Sequence, residues 1–259
     1  MANPTIVLIP GAWHQPSCYN IVRDDLVSRG YETVYASYPT VGAEPPSKGL
    51  ADDVAATRAV LERLADEGKQ IVLGVHSYGG LVGANAVEGL GYKQRAKEGK
   101  KGGVTMFVYI SAFVNPKGVS ILNQLGNNWL PWMQPSRLGG EMGTESGYVH
   151  ISNPEDVMYH DVEPELQKKA VADLNHQSSP VFHGKVTYEP WHEIDCAYFV
   201  CEEDKALPVS IQDAMVGALG EKTLTFRFKT SHSPFLSKPK DVTDALIAVA
   251  KAGQKRVSV

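Results

Sequence analysis

Cysteine is scarce in this chain. Cys18, Cys196 and Cys201 are an odd number with no CxxC spacing, which implies neither a disulfide framework nor a thiolate zinc site. Reduced thiols in a cytoplasmic protein are the expected state. An excess of one charge is also missing: 25 basic against 29 acidic residues leave a formal −4, so neither nucleic acid nor an anionic membrane is an expected partner. The one basic stretch, YKQRAKEGKKGG from Tyr92 to Gly103, includes Glu98 and several glycines, lacks interleaved aromatics, and reads as a solvated loop. Long apolar runs are absent too. The opening MANPTIVLIPG has no basic segment and an apolar run of only five residues, too short for a signal sequence or a membrane span, so the mature chain is expected to start at its first strand. There is no GxGxxG and no phosphate-binding lysine loop, and WHEID, Trp191 to Asp195, is followed by Cys196 where H-E-x-x-H needs histidine. His150, His160, His176 and His183 are scattered without ligand spacing. Neither a cofactor nor a metal is therefore expected.

What is present is an alternation. With 43% hydrophobic and 21% charged residues over 259 positions, the chain suits one α/β domain, 1–259, burying roughly three quarters of its unfolded surface. Continuous apolar runs at Thr5 to Ile9, Glu32 to Ser37, Gln70 to His76, Val104 to Phe113, Ala197 to Cys201 and Thr223 to Lys229 predict strands of a buried, mostly parallel sheet. Segments of helical period separate them. From about Leu50 to Asp66, Leu50, Val54, Leu61 and Leu64 share one face, and Asp52, Asp53, Glu62 and Arg63 are read as facing away. Gly68 ends that helix as a left-handed cap. A last stripe, Val242, Leu246 and Val249, is entered through Pro239. The order is βαβα, hence an α/β fold with right-handed crossovers. Between Phe113 and Ala197 no convincing strand is legible; the interval holds NNWLPWMQPSRLGG and a helical pattern from about Pro164 to Leu174. So long an excursion is usually functional, and it reads as a helical lid inserted above the sheet, about 114–195.

The stretch LGVHSYGGLVG, residues 73–83, places a hydroxyl where an apolar strand stops. A strand that ends in a tight turn and passes at once into a helix holds one side chain up at the carboxyl edge of the sheet, provided its neighbours are small. Ser77 has that place, with Gly79 and Gly80 behind it. The amides of the following helix then face whatever bonds to Ser77, so negative charge developing there meets N–H donors. A nucleophile for acyl transfer needs that arrangement. The usual motif is G-x-S-x-G. Here it is V-H-S-Y-G, with Val75 in the first glycine position and the glycine displaced to Gly74. The bulk of Val75 has to be absorbed by whatever the turn packs against.

A serine hydroxyl is a poor nucleophile unless an imidazole held by a carboxylate takes its proton. CAYFVC is followed by EEDKALP, and TLTFRFK by TSHSPFLSKP, both at carboxyl ends of expected strands. His232 is the natural base and Asp204 the natural acid, with Glu202 and Glu203 as nearest competitors. IPGAWH after the first strand offers the second oxyanion donor: Gly11 lets the chain turn, and the Ala12 amide would join that of Tyr78. Gly11 by itself is equally a turn residue. His14 and His76 flank the site and read as hydrogen-bonded structural residues. Trp13, Trp129, Trp132 and Met133 either line an apolar pocket for the substrate or pack the lid onto the sheet.

With these pieces assembled, the sequence resembles the α/β-hydrolase superfamily, in the branch of plant methylesterases and hydroxynitrile lyases and their microbial relatives. The resemblance spans IVLIPGAWHQPSCY, VLGVHSYGG, EEDKALPVSIQ and SHSPFLSKP. It implies a triad of Ser77, Asp204 and His232 and an oxyanion hole from the Ala12 and Tyr78 amides, without a cofactor. Lyases of the branch carry lysine after the catalytic histidine and threonine in the first loop; Ser233 and Gly11 stand there, which implies hydrolysis rather than lysis. Pro10 replaces the histidine usual in plant esterases. The expected activity is serine hydrolysis of a small hydrophobic ester or lactone, with carbon–carbon cleavage of a ketone or weakly hydrolytic ligand reception as alternatives. Relatives of the branch often pair, which leaves room for a homodimer, but the sequence itself does not set the oligomeric state.

Overall fold

The computed structural model describes residues 2–137 and 147–257. Among them the strands are β1 (Thr5–Ile9), β2 (Thr33–Tyr35), β3 (Gln70–His76), β4 (Gly103–Ile110), β5 (Met133–Arg137), β6 (Gly147–Ile151), β7 (Gln177–Ser178), β8 (Cys196–Cys201) and β9 (Leu224–Phe228). The helices are α1 (Asn20–Ser28), α2 (Leu50–Asp66), α3 (Gly79–Ala86), α4 (Tyr92–Lys97), α5 (Ile121–Gln124), α6 (Pro154–Val157), α7 (Pro164–Ala172), α8 (Val209–Leu219), α9 (Pro234–Ser237) and α10 (Pro239–Val257). Six strands form one sheet in the order β2-β1-β3-β4-β8-β9, and every neighbouring pair is parallel.

Burial explains why the apolar runs were legible. Every residue of β1, β4 and β8 is buried, and in β3 only Gln70 is partly exposed. The α2/α3 and α1/α10 pairs both reach β3, and α2 and α10 also reach β4. A strand covered on both faces has no reason to alternate. At the edge, β9 does alternate between half-buried and exposed positions. The chain leaves β1 for β2 on one side of the sheet and later builds β3 on the other, so the loops after β1 and β3 diverge. In parallel sheets the crevice at such a switch point is where ligands bind.

Three expectations need correction. The interval between β4 and β8 does contain strands: β5, β6 and β7 form a small antiparallel sheet. They escape the pattern because β5, MQPSR, is polar and carries a proline, and β7 is two residues long. The basic stretch from Tyr92 is not all loop, since Tyr92–Lys97 is helical, with buried Arg95 donating to Asp66 at 2.7 Å and to the Gly102 carbonyl at 3.2 Å. Asp53 does not face solvent; it is 0% exposed. Its offset of three from Leu50 places it in the apolar stripe, as period 3.6 requires, and its charge had put it on the wrong side.

Candidate active site

Strand β3 delivers Ser77 into a turn with φ of 52°, the left-handed region that a non-glycine residue occupies only under restraint. The restraint is visible on three sides. The Ser77 N–H donates to the Ile110 carbonyl at 3.3 Å, and its carbonyl accepts from Gly80 at 3.0 Å and from Phe113 at 3.1 Å. Small neighbours are required, as expected. A Cβ on Gly79 would lie 2.8 Å from the Pro10 carbonyl oxygen, and one on Gly11 would lie 2.7 Å from His76 Nδ1 and 3.0 Å from the Ser77 Cβ. Val75 finds its room in the helix that follows: a Cβ on Gly83 would sit 2.7 Å from Val75 Cγ1. The glycine missing before Ser77 is compensated one helical layer away.

Asp204 and His232 come together behind this turn. His232 Nδ1 donates to Asp204 Oδ2 at 2.7 Å, and both side chains are buried. The amides of Ala206 and Leu207 donate to the other carboxylate oxygen at 2.8 Å each, and Gln212 Nε2 reaches Oδ2 at 3.2 Å. The competitors are engaged elsewhere or exposed: Glu202 pairs with Arg227 at 2.8 Å, and Glu203 is on the surface. Ser111 also donates to Asp204 Oδ2 and lies 3.2 Å from His232 Nδ1. With Nδ1 donating, His232 Nε2 carries the free lone pair.

Ser77 and His232 line one cavity, together with Ala12, Tyr78, Trp13, Trp132 and Met133. Among the described residues no backbone carbonyl accepts from the N–H of Ala12 or of Tyr78. No aspartate, glutamate, lysine or arginine is among the cavity's lining residues, and Phe113, Ile121, Leu130 and Phe182 complete much of the apolar wall. Trp129 stands outside the lining, edge-on to Phe182 with ring centroids 5.3 Å apart. Trp13 packs edge-on against Trp132 and tilted against Phe182, with ring centroids 5.6 and 5.5 Å apart. Trp13, Trp132 and Met133 therefore line the cavity, and Trp13 and Trp132 also pack the excursion onto the sheet, whereas Trp129 does not line it and packs against Phe182.

The alpha/beta hydrolase family model matches residues 6–245. The chain belongs to the α/β-hydrolase family. It is similar to the alpha/beta hydrolase nvfD of Aspergillus novofumigatus, 29% identical over 239 residues that cover 92% of this chain and 93% of that one. It also resembles the pyrethroid hydrolase of Sphingobium wenxiniae, 26% identical with 95% and 88% covered. The crystal structure of polyneuridine aldehyde esterase shares the fold, with a TM-score of 0.78 at 18% identity, covering 96% of this chain and 99% of that one. No helix among the described residues is long and apolar enough to cross a membrane.

In this α/β-hydrolase the two flanking histidines are hydrogen-bonded, as their place after apolar strands predicts. His14 Nδ1 donates to the Ala12 carbonyl at 2.7 Å, and its Nε2 accepts from Tyr159 at 2.8 Å. His76 Nε2 donates to the His232 carbonyl at 2.9 Å. Burial holds both neutral, pushing His14 down to about 4 and His76 well below the usual imidazole value. Two residues near the site escaped the sequence. Ser111 was absorbed into an expected strand reaching Phe113, although its φ of 41° ends β4 at Ile110. The signal was present: a serine closing an apolar run at the carboxyl edge, the same pattern that exposed Ser77. Asp53 is the other, accepting from Thr40 and Tyr78.

Burial raises the Asp53 carboxyl from the usual aspartate range to about 7. The folded protein therefore keeps that proton up to about pH 7 while the unfolded chain releases it near 4, so rising pH removes stability across this window, on the order of a few kcal/mol. His14 and His76 act oppositely: below about 6.5 the unfolded chain takes up protons that the folded chain still excludes, so falling pH removes stability. The expected result is that the melting temperature of Asp53→Asn, minus that of wild type, increases as pH is raised from about 4 to about 7. A difference that stays flat with pH, measured by scanning calorimetry, contradicts it.

Proposed function

We propose that the chain is a cofactor-free serine hydrolase acting on a small, uncharged, apolar ester or lactone. The observation that carries this reading is the Asp204–His232 hydrogen bond, with His232 and a strained Ser77 both lining one cavity without charged walls. Ser77 Oγ attacks the carbonyl carbon as its proton passes to His232 Nε2. The amides of Ala12 and Tyr78 hold the resulting oxyanion. Collapse breaks the bond to the alcohol, which leaves with the proton from Nε2, and an acyl-Ser77 ester remains. Water then attacks that ester with His232 again as base, and the acid departs as Ser77 regains its proton. Asp204 stays ionised throughout and holds the imidazole in its Nδ1–H tautomer. The excursion between β4 and β8 acts as the lid that closes the cavity. The names of the similar proteins, an esterase and a pyrethroid hydrolase, support an ester bond as the target.

A fluorophosphonate probe and a short-chain p-nitrophenyl ester test this directly. Labelling and nitrophenol release by wild type, both abolished in Ser77→Ala, are the expected outcome. An unlabelled, inactive wild type overturns it. Trp132 narrows the cavity against Trp13, so Trp132→Ala is expected to raise kcat/KM for a p-nitrophenyl octanoate, relative to the acetate, by about tenfold. An unchanged ratio places Trp132 away from the acyl chain.

A further inference from the structure

Asp53 is a buried carboxylate for which the chemistry above has no use. No cation pairs with it among the described residues, although its side chain is wholly enclosed. What it has instead is three donors. The Thr40 hydroxyl donates to Oδ2 at 2.6 Å, the Tyr78 hydroxyl to Oδ2 at 2.8 Å, and the Thr40 N–H to Oδ1 at 3.3 Å. The connection continues beyond Thr40. Gln177 Nε2 donates to the Thr40 oxygen at 2.6 Å, and Gln177 Oε1 accepts the Trp13 backbone N–H at 3.1 Å. With Asp53 ionised, the proton directions along this path follow from the Trp13 N–H, which can only donate. Because Gln177 donates to Thr40, the single Thr40 hydroxyl proton is directed at Asp53.

The two ends of this path lie beside the reacting atoms. One end is Tyr78, whose amide adjoins Ser77. The other is Trp13, directly after Ala12, held at φ of 67°, where a tryptophan does not stay unaided. Its indole donates to the Val149 carbonyl at 2.7 Å and its carbonyl accepts from Asn175 at 3.1 Å, so all three of its polar groups are tied to the excursion between β4 and β8. We propose that Asp53 is a positioning residue that holds both oxyanion amides in register, Tyr78 directly and Ala12 through Thr40, Gln177 and Trp13. The proposal rests on the ester-hydrolase reading given above.

The ionised form of Asp53 is the one that suits the path. Three donors already point at its oxygens, and a protonated acid would have to turn one of the hydroxyls around to place its own proton. Burial works against that ionised form, bringing the carboxyl up to about 7, and the bonds from Thr40 and Tyr78 pull the other way. The other titratable groups that bear on it are Tyr78, Tyr38, whose hydroxyl donates to the Pro10 carbonyl at 2.8 Å, and Asp52 on its own helix, which accepts from the Gly49 N–H. Polar atoms enclosed this completely stay only when every partner is in place. Loosening any one of them lets the loops after β1 and β3 drift.

The test uses wild type, Ser77→Ala, Tyr78→Phe, Thr40→Val, the Tyr78→Phe/Thr40→Val double variant, Asp53→Leu and Asp53→Asn. For each, kcat and KM on p-nitrophenyl butyrate, the fluorophosphonate labelling rate and the melting temperature are measured. Tyr78→Phe and Thr40→Val are each expected to lower kcat and labelling rate about tenfold with KM within about twofold, because the donors act on the transition state. Asp53→Leu is expected to lose about as much as the double variant, roughly 100-fold. Asp53→Asn, whose carbonyl oxygen still accepts from both hydroxyls, recovers most of that loss. Wild-type rates in the two hydroxyl variants overturn the proposal while leaving Ser77 chemistry intact. Losses that follow only the unfolded fraction at the assay temperature, or that appear in KM rather than kcat, also overturn it. An unlabelled wild type overturns this proposal and the ester-hydrolase reading together.

Discussion

Replacing His232 with alanine is expected to lower kcat on a short-chain p-nitrophenyl ester by about 10⁴- to 10⁶-fold with little change in KM. The size follows from what the side chain alone supplies. His232 Nδ1 is committed to Asp204 at 2.7 Å, so in the proposed mechanism only its Nε2 is free to take the Ser77 proton and return it to the leaving alcohol. No other imidazole can replace it. His14 and His76 both have a ring nitrogen bonded to a backbone carbonyl, and burial keeps them from accepting a proton near neutral pH. Groups that act as one unit lose their effect together, so Ser77→Ala/His232→Ala is expected to be no slower than the worse single variant. Stopped-flow and steady-state assays on the three proteins decide the matter. A double variant slower by the product of the two losses would mean that Ser77 and His232 act independently.

Gly80→Ala is expected to remove at least about 3 kcal/mol of stability, enough to prevent accumulation of folded protein. An added Cβ would lie 2.1 Å from the Phe113 carbonyl oxygen, which is backbone and has no rotamer to yield. The segment cannot retreat easily, because the Phe113 N–H donates to the Ser77 carbonyl at 3.1 Å and the Gly80 N–H to the same atom at 3.0 Å. Moving either one displaces Ser77. Gly217, inside α8, is the contrast: a Cβ there meets nothing within 4 Å. Gly217→Ala is expected to gain about 0.5 to 1 kcal/mol by lowering the backbone entropy lost in the helix. Urea unfolding of both variants tests the pair. A Gly80→Ala protein as stable as wild type would mean that α3 and the loop after β4 are less firmly held than their hydrogen bonds indicate.

The residues of the proposed triad each sit at a chain position that has a one-dimensional signal. Ser77 ends an apolar run and precedes two glycines. Asp204 and His232 each follow a strand by a few residues. The α2 boundaries could be read in the same way, since a stripe of leucines and a left-handed Gly68 delimit the helix without reference to any neighbour. The small sheet β5-β6-β7 had no such signal. Its strands are short and partly polar, and their order depends on pairings with residues far along the chain, including the Val41–Gln177 bridge.

Asp53 is the most instructive case. By helical period it belongs to the buried stripe of α2, and by charge to the solvated one. Nothing within α2 decides between them. The decision comes from Thr40 after β2 and Tyr78 after β3, whose hydroxyls make a buried carboxylate tolerable. The same distinction runs through the molecule. Local order, meaning the strand and helix periods, the turn glycines and the order in which Ser77, Asp204 and His232 follow their strands, was determined by the sequence by itself, because those features depend on backbone sterics and on apolar spacing along one segment. The choice of Asp204 over Glu202, the room for Val75 against Gly83, the place of Trp129 behind Phe182 and the burial of Asp53 were decided only by tertiary structure. Each of them depends on a partner brought close from a distant part of the chain.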